Sequence, residues 1–483
     1  MSGLKIGLGF LCLIIFLEVR AQAPKKQFNV IVILSDDVGY KDLGSYGSSF
    51  YETPHLDALA SDGMRFTRAY AAAPVCSPTR SSILSGKYPI NTGITNFINP
   101  EGNNTPERWS RNTELLPAPF KSELDLSEFT IAEAVTVAGY KTYFAGKWHL
   151  GGEEYLPTNQ GFSVNKGGYD AGHPKSYFSP YQNPELADGP DKEYLPERLA
   201  EETAAFIHEN RDSLFFIYHS LYLAHTPLRA KDSLVQKYEQ KRKLLGLENE
   251  FGQKDNTKVR IVQSLPVYAA MIEAMDNVVG RIVAQLKQDG LYENTILIFT
   301  SDNGGLSTSE GWPTSNLPLR GGKGWLYEGG IRVPLLVRWP GITQSGSSNN
   351  SMLTSPDIYP TVLDMLKLPQ NNQQQMDGIS FVKTLQSSKV IDRALYWHYP
   401  HYSNQGGSPA SSVMDKKWKL IKHYDSRHRP YELYNIKKDW SENNDLSLKK
   451  KGKVKRMSLL LQKFLDKNKA LSPTPNPNYK SMP

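Results

Sequence analysis

The sequence predicts an α/β fold, a large mostly parallel sheet with helices on both faces, followed by a smaller C-terminal α+β part with a short antiparallel sheet and a closing helix. Three observations carry this reading. An apolar, β-branched run of strand length spans Phe28 to Leu34, and short strands are expected at Lys141 to Ala145, Ser213 to His219 and Thr295 to Thr300. Segments with helix start and stop signals alternate with them. Polar clusters, Asp36 and Asp37, Lys147 and His149, His225, then Asp302 and Asn303, follow the strands directly, and in such sheets ligands bind beyond the carboxyl ends of the strands.

Taken in order, the chain begins with Met1-Ser2-Gly3-Leu4-Lys5, an apolar stretch from Ile6 to Leu17 and a small-residue exit at Ala21-Gln22-Ala23. This is the pattern of a secretory signal, assigned to residues 1–22, with cleavage expected near Ala21 to Ala23. It is too short to serve comfortably as a permanent anchor. The expectation is therefore an exported, periplasmic or secreted protein with no stable membrane insertion.

Of the two cysteines, Cys12 lies in the signal, which leaves Cys76 as the one thiol of the mature chain and excludes an internal disulfide. The first helix is expected after Thr53 as cap, with Pro54 at its first position and Gly63 beyond its end; another begins at Thr130, where Glu133 completes a capping box, and stops at Gly139. A long amphipathic helix is expected over Leu265 to Gln288 and another over Pro356 to Leu366. A compositional shift at Pro369 to Met376 divides a catalytic unit, 23–370, from a C-terminal unit, 371–483. There Leu395 to Tyr399, Ser412 to Tyr424 and Tyr431 to Asn435 read as strands, and Lys451 to Leu465 as the closing helix.

Hydrophobic residues make up 39% and charged residues 22% of the 483, which excludes a disordered or collagen-like chain. Lys plus Arg exceed Asp plus Glu by 56 to 49, for a net charge of +7. So mild an excess suits an anionic small molecule or polymer better than duplex nucleic acid, and no nucleic-acid partner is expected. The one dense basic run, Lys449 to Arg456, reads as the solvated face of the last helix.

Asp36-Asp37 and Ser301-Asp302-Asn303-Gly304 offer hard oxygen ligands from two loops with no His or Cys among them, which suits Ca²⁺ or Mg²⁺ rather than zinc. Gly146-Lys147-Trp148-His149-Leu150-Gly151 sets a cation and an imidazole two apart, on one side if the segment is extended. His225 in Ala224-His225-Thr226-Pro227 and Lys323 in Arg320-Gly321-Gly322-Lys323-Gly324 add a second imidazole and a second cation. As a set these residues describe a pocket for a tetrahedral oxyanion with a general acid at hand.

Cys76-Ser77-Pro78-Thr79-Arg80-Ser81-Ser82-Ile83-Leu84-Ser85-Gly86 resembles the signature of the formylglycine-dependent sulfatases, a family of alkaline-phosphatase-like architecture. The other motifs follow in that family's order over about three hundred residues, and the chain looks most like secreted bacterial polysaccharide sulfatases. The resemblance implies that a maturation enzyme converts Cys76 to formylglycine. It also implies a divalent cation, usually Ca²⁺ with Mg²⁺ as the alternative, held by Asp36, Asp37, Asp302, Asn303 and the modified residue 76. By the same resemblance Arg80 and Lys147 stabilise the nucleophile and sulfate, His149 is the base that opens the sulfated intermediate, and His225 and Lys323 lie at the leaving oxygen, with His225 the general acid. Arg332 is read as structural.

The implied substrate is a sulfated carbohydrate, a polysaccharide or its oligosaccharides. The loops Asn96 to Arg111, Gly168 to Tyr181 and Gly305 to Asn316 are candidates for specificity, with Arg111, His173, Lys175 and Trp312 able to meet an acidic sugar. Two alternatives stand beside this reading: a phosphoryl or phosphonate hydrolase of the same superfamily, and a non-catalytic protein that binds sulfated glycans.

Overall fold

The computed structural model describes residues 27–99, 111–254, 257–371 and 374–480; the signal segment and part of the loop Asn96 to Arg111 lie outside the described residues. Nine strands form the main sheet: β1 (Asn29–Ser35), β2 (Met64–Tyr70), β3 (Lys141–Gly146), β4 (Val164–Lys166), β5 (Phe215–Ser220), β6 (Thr295–Ser301), β7 (Arg332–Arg338), β8 (Ser347–Asn349) and β9 (Leu353–Thr354). Their order is β8-β2-β7-β6-β1-β5-β3-β4, with β9 also on β2. Only β7 runs antiparallel to its neighbours, and the register centres on β1, where Leu34 pairs with Ser220 on one side and Thr300 on the other.

The strands are apolar on both faces because both are covered. Ile31 and Ile33 of β1 enter one core and Val30, Val32 and Leu34 the other. The helices α1 (Pro54–Asp62), α4 (Leu195–Glu209), α5 (Asp232–Leu244) and α6 (Pro266–Gln288) pack on the first face. On the second lie α2 (Cys76–Ser85), α3 (Ile131–Val137), α7 (Ile358–Leu366) and α8 (Val382–Ser387). Phe381, Val382 and Leu385, just beyond the compositional shift, pack into this second core.

The capping box at Thr130 and Glu133 forms, but Thr53 does not cap α1. Its hydroxyl instead accepts from the Gly44 N–H at 2.9 Å, and the free N–H groups of His55 and Leu56 are taken by Asp276 of α6 at 2.9 and 2.7 Å. A buried carboxylate from the neighbouring helix has displaced the local cap, a tertiary solution to the unpaired donors at a helix start.

The C-terminal sheet has four antiparallel strands in sequential order, β10 (Leu395–Tyr399), β11 (Ala410–Asp415), β12 (Trp418–His423) and β13 (Tyr431–Asn435). The single strand expected over Ser412 to Tyr424 is therefore a hairpin, β11 to β12, turning at Lys416-Lys417 with Asp415 paired to Trp418. One face of this sheet buries Trp397, Met414 and Ile421 against Tyr70 and Trp325 of the main unit. The other buries Val413, Leu420 and Leu433 against Met457, Leu461 and Leu465 of the closing helix α9 (Lys451–Lys467). Lys419, fully buried on β12, bridges Glu328 at 3.1 Å and Glu442 at 2.8 Å and ties the sheet to the loop that carries Lys323.

Candidate active site

Helix α2 is buried along its whole length, and of its small hydroxyl residues Ser77, Thr79, Ser81 and Ser85 close hydrogen bonds inside the core while Ser82 Oγ has no partner. Ser81 donates to the Pro78 carbonyl at 2.8 Å, and Ser77 accepts from the Ile98 N–H at 3.0 Å. Pro78 falls in the first turn, where no intrahelical N–H bond is lost. Cys76 and Arg80 stand four apart and so share a face of the helix. Gly86, at φ 73°, closes it with its N–H on the Ser82 carbonyl.

That face meets the carboxyl ends of β1, β3, β5 and β6. The Arg80 guanidinium donates to Asp302 Oδ2 from Nε at 2.9 Å and from a terminal nitrogen at 2.7 Å; its other terminal nitrogen donates to the Lys147 carbonyl at 2.8 Å and to Ser220 Oγ at 2.6 Å. Lys147 Nζ donates to Asp36 Oδ2 at 2.7 Å, and Lys323 Nζ to Asp37 Oδ2 at 2.8 Å. Asn303 Nδ2 donates to Asp37 Oδ1 at 2.8 Å. The sequence-predicted residues Asp36, Asp37, Cys76, Arg80, Lys147, His149, His225, Asp302, Asn303 and Lys323 thus lie in one connected cluster.

His149 reaches the cluster by a different route from the extended geometry expected. Gly146 and His149 both have positive φ, 93° and 61°, so the segment turns sharply after β3. One ring nitrogen, Nε2, lies 2.6 Å from the Ile98 carbonyl and the other, Nδ1, 3.3 Å from Cys76 Sγ. A carbonyl can only accept, so Nε2 carries the proton and Nδ1 presents its lone pair to residue 76. Burial, reinforced by Lys147, pushes this imidazole well below its ordinary pKa, and it is neutral at physiological pH.

The same logic fixes His225, whose Nδ1 donates to the Thr226 carbonyl at 2.6 Å and whose Nε2 stands 3.8 Å from Asp37 Oδ2. Burial and then Lys323 lower its pKa, against the pull of Asp37. The Tyr177 hydroxyl, at 2.7 Å from the Tyr222 carbonyl and 3.1 Å from that of His225, holds this loop.

The donor set fits a hard cation. Three buried carboxylates, Asp36, Asp37 and Asp302, face three cations, Arg80, Lys147 and Lys323, so the protein groups alone are close to neutral. Two buried oxygens, Asp36 Oδ1 and Asn303 Oδ1, nevertheless have no hydrogen-bond partner, and such orphans are costly without a ligand. Burial, with Asp302 and Asp37 adding repulsion, raises the Asp36 pKa well above normal even against Lys147. Burial also opposes ionisation of Asp37, but Lys323 and His225 hold its carboxyl well below the usual range. Oxygen donors of this kind suit Ca²⁺ or Mg²⁺, and a bound dication would make the centre attractive to an anion.

Residue 76 and His149 open into a cavity of about 690 Å³ lined also by Lys323, His225, Phe97 and Tyr169. His173 and Lys175 line it as expected, with the His173 ring stacked 6.4 Å from that of His225. Trp312 does not line it: its indole donates to the Lys258 carbonyl and packs on Phe251. Arg332 is structural, bonded to the Thr67 carbonyl and Glu328. Sequence reasoning missed Ser220, which seats Arg80, and Asn404, Gln405 and Glu310, which close the cavity. Ser220 ends a strand beside the other polar clusters and could have been found by that rule; Asn404 and Gln405 come from the C-terminal unit, where nothing local signals the contact.

Comparison with known proteins identifies the family. Residues 28–368 match the family described as Sulfatase, and residues 322–470 match the C-terminal family of N-sulphoglucosamine sulphohydrolase. A protein described as Sulfatase from Formosa agariphila is 31% identical, with 89% of this chain and 86% of that protein covered. The N-acetylgalactosamine-6-sulfatase of Rattus norvegicus is 30% identical over 79% of this chain and 70% of its own. The crystal structure of Ps i-CgsB in complex with k-i-k-neocarrahexaose superposes with a TM-score of 0.76 at 26% identity, covering 92% of this chain and 94% of that one.

Proposed function

From the premise that this chain belongs to the sulfatase family and is a sulfuric ester hydrolase, we propose that it removes sulfate from a sulfated polysaccharide or its oligosaccharides by way of formylglycine at residue 76. The observation that carries this reading is the position of Cys76: it is buried at the start of α2, its Sγ 3.3 Å from Nδ1 of His149, beside the cluster in which Asp36, Asp37 and Asp302 face Arg80, Lys147 and Lys323. Conversion by a maturation enzyme supplies instead an aldehyde hydrate, one hydroxyl of which attacks sulfur while the other allows sulfate to be expelled. A divalent cation, Ca²⁺ with Mg²⁺ as the alternative, would be held by Asp36, Asp37, Asp302 and Asn303 together with residue 76, and would supply positive charge to the sulfate oxygens.

The chain's own groups then divide the work. Arg80 and Lys147 hold positive charge beside residue 76 and the sulfate. The bare Nδ1 of His149 is placed to take a proton from residue 76 when sulfate leaves. Nε2 of His225 faces the cavity beside Lys323; the negative charge of a bound sulfate ester favours its protonation, and the proton is then given to the departing sugar oxygen. His173 and Lys175 are placed to meet the sugar. Export by residues 1–22 suits a polymer met outside the cytoplasm, and no helix among the described residues is long and apolar enough to cross a membrane.

The test is Cys76→Ser assayed for multiple turnovers on sulfated oligosaccharides. Serine keeps an oxygen nucleophile but cannot expel sulfate by re-forming an aldehyde, so turnover is expected to vanish while the fold and glycan binding persist. Sustained turnover by this variant would refute the mechanism.

A further inference from the structure

A second groove, of about 940 Å³, lies where the C-terminal sheet meets the edge of the main sheet, and it shares no lining residue with the Cys76 cavity. Its lining includes eight cationic side chains and two carboxylates, and one of these, Asp415, is already paired with Arg456 at 2.6 Å. The basic run of the last helix supplies only Lys453 and Arg456, three apart on one face of α9. The remaining cations arrive from segments distant in sequence: Arg68 on β2, Arg332 on β7, Lys416-Lys417 at the β11–β12 turn, and Lys437-Lys438 after β13. Among the described residues none of these four lysines pairs with a carboxylate, and all four are exposed. A solvated helix face does not gather like charge from five segments into one concavity, where their fields add.

Two details bear on the ligand, the first on sugar rings and the second on an anion. Trp418 and Trp440 both line the groove, Trp440 with 37% of its surface exposed. Lys453 Nζ stands 5.5 Å from the Trp418 ring centre, and the Arg332 guanidinium 5.4 Å from that of Trp440, so each aromatic face is set beside a cation. Lys416 adopts φ 57° in its two-residue turn, a conformation that Gly or Asn takes readily and that costs other residues about 1 kcal/mol. Lysine is the less stable choice for that turn and the better one for an anion.

We propose that this groove binds a sulfated polysaccharide chain, holding the polymer while the Cys76 cavity acts on it. The choice of polymer rests on the function proposed above. The groove is concave where a lipid surface would need a protruding apolar rim, and lysine-rich with one exposed and one half-buried indole, which suits sulfate groups on sugar rings.

The test compares the full-length protein with the variant Lys416→Asn/Lys417→Gln/Lys437→Gln/Lys438→Gln, in which Asn keeps the positive-φ turn. Binding is measured to dextran sulfate, to unsulfated dextran and to a short DNA duplex over a range of salt, alongside sulfate release from 4-nitrophenyl sulfate and from sulfated oligosaccharides. The variant is expected to lose at least about tenfold in affinity for dextran sulfate, with a log–log salt slope shallower by about three, while small-substrate turnover is unchanged. Unaltered affinity for dextran sulfate would overturn the proposal, as would DNA bound more tightly than dextran sulfate and weakened equally. Absence of sulfate release by the wild type would count against the proposed function, whereas the binding comparison decides the groove.

Discussion

Replacing Arg80 by lysine keeps the charge at the centre of the site and removes the fork that distributes it. Arg80 makes four polar contacts, two to Asp302 Oδ2 and one each to the Lys147 carbonyl and Ser220 Oγ. A single ammonium on a shorter reach can keep one or two of them. Losing two or three bonds from a charged donor in a site that is 2% exposed corresponds to about 3–4 kcal/mol at the low end of such contributions. If that loss is felt where charge develops, kcat/KM falls by about 10²–10³. The assay is steady-state sulfate release by protein whose residue 76 has been verified by mass spectrometry as converted, because Arg80 lies only four residues from the proposed site of conversion, together with the melting temperature. A converted Arg80→Lys protein with kcat/KM within threefold of wild type but a lower Tm would show that Arg80 only braces the fold.

Other consequences follow from the same geometry. With His225 as the proposed general acid, His225→Ala should slow sugar sulfates far more than activated aryl sulfates, and equal losses on both would remove it as the acid. Chelation should abolish turnover and Ca²⁺ restore it, whereas Asp36→Asn should need a higher Ca²⁺ concentration for half-restoration; unchanged Ca²⁺ dependence in that variant would exclude Asp36 as a ligand. Asp276, which caps α1, has its carboxyl pushed up to about 7 by burial against its two backbone hydrogen bonds. Its folded pKa exceeds the unfolded one, so ionisation opposes folding above pH 7 and the penalty fades as pH falls toward 4. Asp276→Asn, whose amide nitrogen cannot accept one of the two bonds, should therefore melt below wild type at pH 5 and close part of that gap by pH 8, whereas parallel melting curves across this range would refute the assignment.

Much of the site was legible in the sequence because its residues sit at strand ends or on one helix turn, where spacing alone fixes direction. Cys76 and Arg80 are one helical turn apart, and Asp36, Asp37, Asp302 and Asn303 follow neighbouring parallel strands. What escaped was decided by tertiary contact. Thr53 has the composition of a cap, but the carboxylate of Asp276 reaches the same N–H groups from another helix. The Lys416-Lys417 turn was invisible because neither residue is a turn former, and only the pairing of Asp415 with Trp418 reveals it. His149 reaches Cys76 through a positive-φ turn that no hydropathy pattern encodes. Asn404 and Gln405 join the cavity only because Ser403 to Gly407 folds onto the loop of Lys323, where the Trp325 indole donates to the Gln405 carbonyl at 2.8 Å.

Mass spectrometry of the peptide Ala69 to Arg80, taken from active protein exported by its own host, decides the chemistry at residue 76. Formylglycine at that position is the predicted result. Unmodified cysteine in protein that still releases sulfate would contradict the mechanism and leave the metal cluster and its cations to be explained by another nucleophile.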